Sequence, residues 1–305
     1  MSKKLVSLFL ALALVLACVP VLAEGGLTVT DMTGREIVLD GPASKIVALT
    51  ASDVEILYAL GAGDLLVGRG EYCDWPAEAL EKPSVQSGYE TNLEEILALE
   101  PDVVIMATMA QTVEQVEELE NAGIKVIVSD AQNLEGVYTA ITLIGQVVGK
   151  NDEAAALVKE MQDTFADIKA KSQDTGKTVY FEVSPLQWGL YAAGPGTFMD
   201  ELAGIVGLTN IFGDSDKLWP QISEEQVLER NPDYIVTTTM YYGEGPTPVE
   251  EILGRAGWDQ LNAVKENRIF NADNSAITRP GPRLMEAVKA LYEFVYGAEE
   301  EVPAA

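Results

Sequence analysis

Residues 92–105 read NLEEILALEPDVVI and residues 223–236 read SEEQVLERNPDYIV, two copies of one unit that align without a gap. Each opens on a polar residue (Asn92, Ser223), carries a glutamate two places on (Glu94, Glu225), and then a leucine (Leu97, Leu228). A Pro-Asp pair (Pro101-Asp102, Pro232-Asp233) and an apolar run complete it. A polar cap with Glu95 or Gln226 three places later is the capping-box pattern, so each copy opens a short helix. The proline stops that helix, and the β-branched run beyond reads as a buried strand. A helix-to-strand unit present in both halves predicts two similar α/β lobes, with Glu94 and Glu225 at equivalent points.

Outward from these copies the same alternation continues. A hairpin over 27–39 turns at Thr33-Gly34, and 46–49 is a short strand. Ser52 is placed to cap a helix over 53–60, which ends at Gly61. Strands at 65–68 and 125–128 flank the first copy and a helix over 112–122. From 152 to 171 no glycine or proline interrupts a helical pattern with Ala155, Leu157, Val158, Met161, Phe165 and Ile168 as its apolar positions. A strand at 178–183 then starts a second series, in which 198–204 echoes 55–61. The expected fold class is therefore α/β: two similar lobes, each with a central, mostly parallel β-sheet covered by helices, joined by a single long α-helix. The expected segments are a lobe at 24–151, a linker helix at 152–172, a lobe at 173–297 and an acidic tail at 298–305. A packed helical linker resists wide hinging, so a ligand caught between the lobes closes them only modestly.

The N-terminus predicts export. Lys3 and Lys4 precede a charge-free apolar run at 5–17, too short to span a bilayer comfortably. Two cleavage points fit. Val21-Leu22-Ala23 suits ordinary signal peptidase, giving a signal peptide over 1–23, whereas Val15-Leu16-Ala17-Cys18 suits a lipoprotein box, giving 1–17 with Cys18 lipidated. In either case Cys73 alone remains in the folded part, and no intramolecular disulfide is available.

Composition narrows function. The 48 acidic residues outweigh 20 basic ones, for a net charge of −28, which disfavours nucleic acid and anionic lipid surfaces as partners. There is no histidine. That removes Ser-His-Asp and Cys-His catalysis, the commonest general base, and every His-ligated metal or haem site. A two-lobed metal-dependent enzyme would need such groups, so no enzymatic activity and no resident cofactor or directly bound metal is expected.

Six stretches together resemble the substrate-binding proteins of ABC importers for ferric siderophores, haem and cobalamin, the helical-backbone metal receptors. They are DMTGREIVL at 31–39, ILYALGAGDLLVG at 56–68, YCDWP at 72–76, NLEEILALEPDVVI at 92–105, WPQISEEQVLERNPD at 219–233 and RPGPR at 279–283. WPQISEEQVL is most similar to the cobalamin-binding branch. The resemblance implies a monomer at the cell surface or in the periplasm, touching a membrane only through a lipid anchor. Its partners are then a permease dimer with its ATPase and a small metal-chelate ligand, a corrinoid or a ferric chelate.

It also implies site residues. One acidic residue per lobe meets permease arginines in that family, and the matching positions are Glu94 and Glu225, as the internal repeat had already singled out. Two carboxylates on separate lobes suit bidentate arginine recognition, although glutamate in a helix's first turn is also stabilised with no partner. Tyr72 and Trp219 match ring-stacking positions of cobalamin binders, and Tyr89 is placed to substitute for the tryptophan that those binders carry near Gly88; all three could instead pack the lobe edges. Arg279 matches a ligand-contacting arginine, or else pairs with the acidic surface. Arg283 reads as structural, Cys73 as a buried small residue, and Trp188, Tyr191, Met240, Tyr241 and Tyr242 as loop residues near the cleft. The cobalamin pattern's acidic residue near Ser275 and tryptophan near Gly88 are missing. A sensor domain without transport shares the cleft but has no need of Glu94 and Glu225.

Overall fold

The structure is a computed structural model, and it describes residues 26–88, 90–107 and 113–297. The expected signal segment, Cys18, Tyr89 and the tail at 298–305 lie outside the described residues.

Strands β1 (Leu27–Thr30) and β2 (Glu36–Leu39) pair antiparallel. Asp31 builds their turn: its Oδ1 accepts from the Thr33 and Arg35 amides, and its Oδ2 accepts from the Val128 amide. The DMTGR stretch thus ties the hairpin to the lobe behind it. The first lobe continues through β3 (Ile46–Ala48), α1 (Ala51–Ala59), β4 (Leu66–Gly70), β5 (Ser84–Val85) and α2 (Leu93–Ala98). It closes with β6 (Val103–Met106), α3 (Val113–Asn121), β7 (Lys125–Val128) and α4 (Leu134–Val148). Helix α5 (Asn151–Lys171) crosses to the second lobe.

That lobe runs β8 (Lys177–Glu182), β9 (Leu190–Tyr191), α6 (Phe198–Ile205), β10 (Leu208–Asn210), β11 (Gln221–Ile222) and α7 (Glu224–Arg230). Next come β12 (Tyr234–Thr237), α8 (Pro248–Leu253), α9 (Asn262–Lys265), β13 (Ile269–Asn271), α10 (Asn274–Thr278) and α11 (Leu284–Tyr296). The main sheets are ordered β5-β4-β3-β6-β7 and β10-β8-β12-β13, with every neighbouring pair parallel. Superposing the sequence repeat equates β6 with β12; β4-β3-β6-β7 then matches β10-β8-β12-β13, and β5 is an additional edge strand of the first sheet.

The repeated Pro-Asp does the same work in both lobes. Asp102 Oδ2 accepts from the Ser44 amide (2.9 Å), the Ser44 hydroxyl (2.7 Å) and the Lys45 amide (2.9 Å). Asp233 Oδ2 accepts from the Thr178 amide (3.0 Å) and hydroxyl (3.2 Å). Each aspartate therefore fastens the start of its strand to the start of the neighbouring central strand. Each preceding helix ends at a residue with positive φ, Glu100 or Asn231, immediately before the proline. The capping box is reciprocal only in the second copy, between Ser223 and Gln226. In the first, Asn92 accepts from the Glu95 amide, but the Glu95 carboxylate turns to the Gln86 amide.

Three expectations are corrected. Ser52 does not cap α1; Thr50 is the cap residue, without a side-chain bond, and Ser52 is buried within the helix. Along α5 the buried face carries Ala154 with Met161, Phe165 and Ile168, whereas Ala155 is exposed. Helix α4 was not expected at all. It packs on α5 through Gly145, where a Cβ would come within 2.5 Å of the Ala154 methyl. The chain reverses between the two helices at Gly149, φ +71°. One apolar core joins α4, α5, α6, α10 and α11 to both sheets. Each large α5 side chain buried in it contributes about 1.5–3 kcal/mol, which is what makes the linker stiff.

Candidate functional site

The lobes meet along two seams. At the first, RPGPR of the second lobe meets YCDWP of the first. Arg279 Nη1 lies 2.9 Å from Glu55 Oε1 on α1 and 2.7 Å from Asp74 Oδ1, and Nη2 donates to the Tyr72 carbonyl. The Arg283 guanidinium sits 4.3 Å from the centre of the Trp75 ring, and its nitrogens reach Glu286 and Asp273. At the second seam, the Gln132 carbonyl accepts from the Phe198 amide and its side chain accepts from Trp219 Nε1 (3.3 Å). Glu201 on α6 accepts from the Leu134 amide at 2.6 Å.

Between the seams lies a cavity of about 90 Å³. The first lobe lines it with residues that follow strands β3, β6 and β7: Thr50, Ser52, Ala107 and Ser129 to Gln132. The second lobe supplies Phe198, Trp219, Thr278 and Pro280. Carboxyl ends of parallel strands are where α/β sheets leave room for ligands, because the connecting loops diverge there.

Electrostatics in this region are dominated by carboxylates. Asp53 is fully buried, and burial pushes its carboxyl up to about 7 despite the hydroxyls of Ser129 and Thr50, with the charge of Asp130 adding to the push. Burial also raises Glu55, against the pull of Arg279. Burial disfavours the Arg279 cation, yet its bonds to Asp74 and Glu55 prevail and hold it above its ordinary value.

Trp219 is half-buried, its ring 5.7 Å from that of Phe198, and it forms part of the cavity wall. Tyr72 is exposed beside the first seam, as are Trp188, Met240, Tyr241 and Tyr242 elsewhere on the second lobe's loops. Arg279 belongs to the inter-lobe ion pair. Cys73 is buried, and burial with the neighbouring Asp53 lifts its thiol to about 12, which leaves it inert. Among the described residues no cluster of His, Cys, Asp and Glu is arranged to hold a metal ion.

Glu94 and Glu225 are both exposed, in the first turns of α2 and α7. The Ser223 side chain holds Glu225 below the usual carboxylate range. Beneath α7 lies a buried network that no sequence pattern marks. Glu182 takes a two-point bond from Arg255 (2.6 and 3.0 Å), and Arg255 also pairs with Glu251 and lies 4.4 Å over the Trp258 ring. Trp258 Nε1 donates to Glu224, the residue before Glu225. At the equivalent place in the first lobe stands Leu93, packed on apolar residues. Glu55, Asp53 and Gln132 were also missed. Glu55 and Gln132 find their partners far away in sequence, and Asp53 and Glu55 are marked only by the burial of acidic residues.

The sequence pattern of the periplasmic binding protein family matches residues 46–276. A Bacillus subtilis protein described as an uncharacterized ABC transporter substrate-binding lipoprotein, YvrC, is 36% identical over 276 residues, covering 88% of this chain and 85% of its own. Among solved structures, a Staphylococcus epidermidis protein described as a possible iron-binding periplasmic solute-binding protein aligns with a TM-score of 0.70 at 30% identity, covering 83% of this chain and 99% of its own. The periplasmic vitamin B12 binding protein of Vibrio cholerae aligns with a TM-score of 0.69 at 26% identity, covering 83% and 97%. Among the described residues no helix is long and apolar enough to cross a membrane. Two like lobes on a helical backbone, a cavity between them and a matching family pattern agree: the chain belongs to the periplasmic binding protein family, as an exported substrate-binding protein of an ABC importer and not an enzyme.

Proposed function

We propose that this chain captures a corrinoid between its lobes and delivers it to an ABC permease, docking through Glu94 and Glu225. The observation that carries the docking half is the internal repeat. Two exposed carboxylates occupy the same turn of equivalent helices, one on each lobe, which is the arrangement a two-fold permease surface with paired arginines would engage. The corrinoid half is supported by the Vibrio cholerae relative, described as binding vitamin B12. Trp219 supports it as well, offering an aromatic wall to a large planar ligand. Tyr72 and Tyr89 are the further candidate contacts, and Arg279 acts there through its ion pair. A ferric chelate is the second reading, favoured by the Staphylococcus epidermidis relative.

The protein acts as a monomer, and lipidation at Cys18 anchors it to the membrane, in line with the lipoprotein from Bacillus subtilis. The experiment is uptake by cells carrying Glu94→Ala with Glu225→Ala. Transport should be abolished while cobalamin affinity of the purified variant stays intact. A parallel loss of affinity, or normal uptake, would overturn the docking role.

A further inference from the structure

An unbroken series of contacts through the second lobe joins the inter-lobe cavity to the exposed Glu225. Thr278 lines the cavity and ends α10. Its hydroxyl donates to the Asn274 carbonyl at 2.7 Å, and the Asn274 side-chain amide donates to the Thr238 carbonyl at 2.6 Å. The Thr238 amide donates in turn to the Glu182 carbonyl at 3.1 Å. The residue that follows β12 is thereby tied to the residue that ends β8. The Glu182 carboxylate accepts a bond from each terminal nitrogen of Arg255, and that guanidinium lies 4.4 Å over the Trp258 ring. Trp258 Nε1 donates to Glu224 Oε2 at 2.9 Å. Glu224 and Glu225 share the first turn of α7.

Thr238, Glu182, Arg255 and Trp258 are all buried. Glu182 and Arg255 cannot part without leaving an uncompensated charge in the interior, so the two move as one. The indole N–H bond to Glu224 is directional as well, so a shift at the end of β8 reaches α7 as a displacement. The first lobe is built differently. Leu93 stands in the place of Glu224 and packs on the apolar cluster that includes Ile96, Val104 and Leu119. Apolar contact has no preferred direction, and a helix held by it keeps its place while its neighbours make small shifts. Two helices that are equivalent by sequence are thus held in two different ways.

We infer that the second lobe reports occupancy of the cleft to the docking surface. A ligand that presses on the α10 wall shifts Glu182, and Arg255, Trp258 and Glu224 pass that shift to Glu225. Glu94 on the first lobe keeps one position with or without ligand. Trp258 and Glu224 are therefore positioning residues for Glu225. This inference rests on the docking reading of Glu94 and Glu225, and adds how a permease tells a loaded chain from an empty one.

The test is amide hydrogen exchange of the purified exported chain, read by mass spectrometry. It is run without ligand and with saturating cyanocobalamin or the iron(III) complex of desferrioxamine B. Ligand should change exchange across 224–230 by about fivefold or more, the lower end of the coupling between linked sites, and leave 93–98 unchanged. Glu224→Leu copies the first lobe and removes the acceptor of Trp258 Nε1. The ligand-induced change should vanish in it, while calorimetry finds ligand affinity unchanged. Glu224→Gln keeps a side-chain carbonyl for the indole and should retain the change. A merely structural loss raises exchange with and without ligand alike, and so leaves the ligand-induced difference in place. Persistence of the change in Glu224→Leu, or its loss in Glu224→Gln as well, would overturn the relay. So would an equal change over 93–98, or none over 224–230 in a chain that binds its probe; all four leave the importer reading standing. Binding of neither probe would overturn the metal-chelate reading itself, and the inference with it.

Discussion

Replacing Arg255 by methionine tests how the second lobe holds helix α7. The guanidinium has 2% side-chain exposure and Glu182 has 1%, and their two-point bond is the main compensation for a carboxylate at the end of β8. Methionine fills much of the space but leaves Glu182 buried and unpaired, a change that costs about 3–5 kcal/mol. It also removes the cation from the Trp258 face, and Trp258 anchors α7 through Glu224. Urea unfolding at pH 7, followed by circular dichroism, should show that loss. Adding Glu182→Leu removes the orphaned charge, so the double variant should recover at least roughly half of it.

Acidity should act in the same direction. Burial already raises Glu182 above its ordinary carboxylate value, with Arg255 opposing the shift. Without Arg255 the folded-state value rises further. The folded state then binds the proton more tightly than the unfolded chain does, so the deficit shrinks as pH falls through that value. A deficit below about 1 kcal/mol at pH 7 would refute the reasoning, as would one that the second substitution leaves unchanged.

Two further predictions concern the frame around the site. Asp53 is raised to about 7 by burial, so its contribution to stability is fully present below the unfolded carboxylate value and is lost as pH rises through the folded one. Melting temperatures measured across pH 4 to 8 should therefore fall less in Asp53→Asn than in the unsubstituted chain, and parallel profiles would contradict this assignment. Asp102→Ala removes an acceptor for three donors and should cost about 1–3 kcal/mol in urea unfolding; a loss under about 0.5 kcal/mol would show that the strand start is fixed by other contacts.

The lobes were legible because periodicity and chain breakers are local signals. The Pro-Asp copies marked equivalent strands, and the reason appears in the bonds that Asp102 and Asp233 make to the adjacent strand starts. Helix α4 escaped because it is apolar on most sides and carries Gly136 and Gly145, which read as breaks; Gly145 serves close packing on α5 instead. The exposed carboxylates could be named from the repeat, since first-turn position is a property of a few residues. The seams could not. Arg279 finds Glu55 across 224 positions of sequence and Trp219 finds Gln132 across 87, and no spacing rule reaches that far. The resemblance marked Arg279 and Trp219 without revealing what holds them.

The central claim, that a corrinoid binds between the lobes against Trp219, is tested most directly by titrating the exported chain and its Trp219→Ala variant with cobalamin. Calorimetry should be backed by tryptophan fluorescence corrected for the ligand's absorbance. The account predicts saturable one-to-one binding that weakens at least about tenfold in the variant, the loss expected when an aromatic anchor is truncated. Unchanged affinity in Trp219→Ala, or no cobalamin binding by the folded, unsubstituted chain, would contradict it.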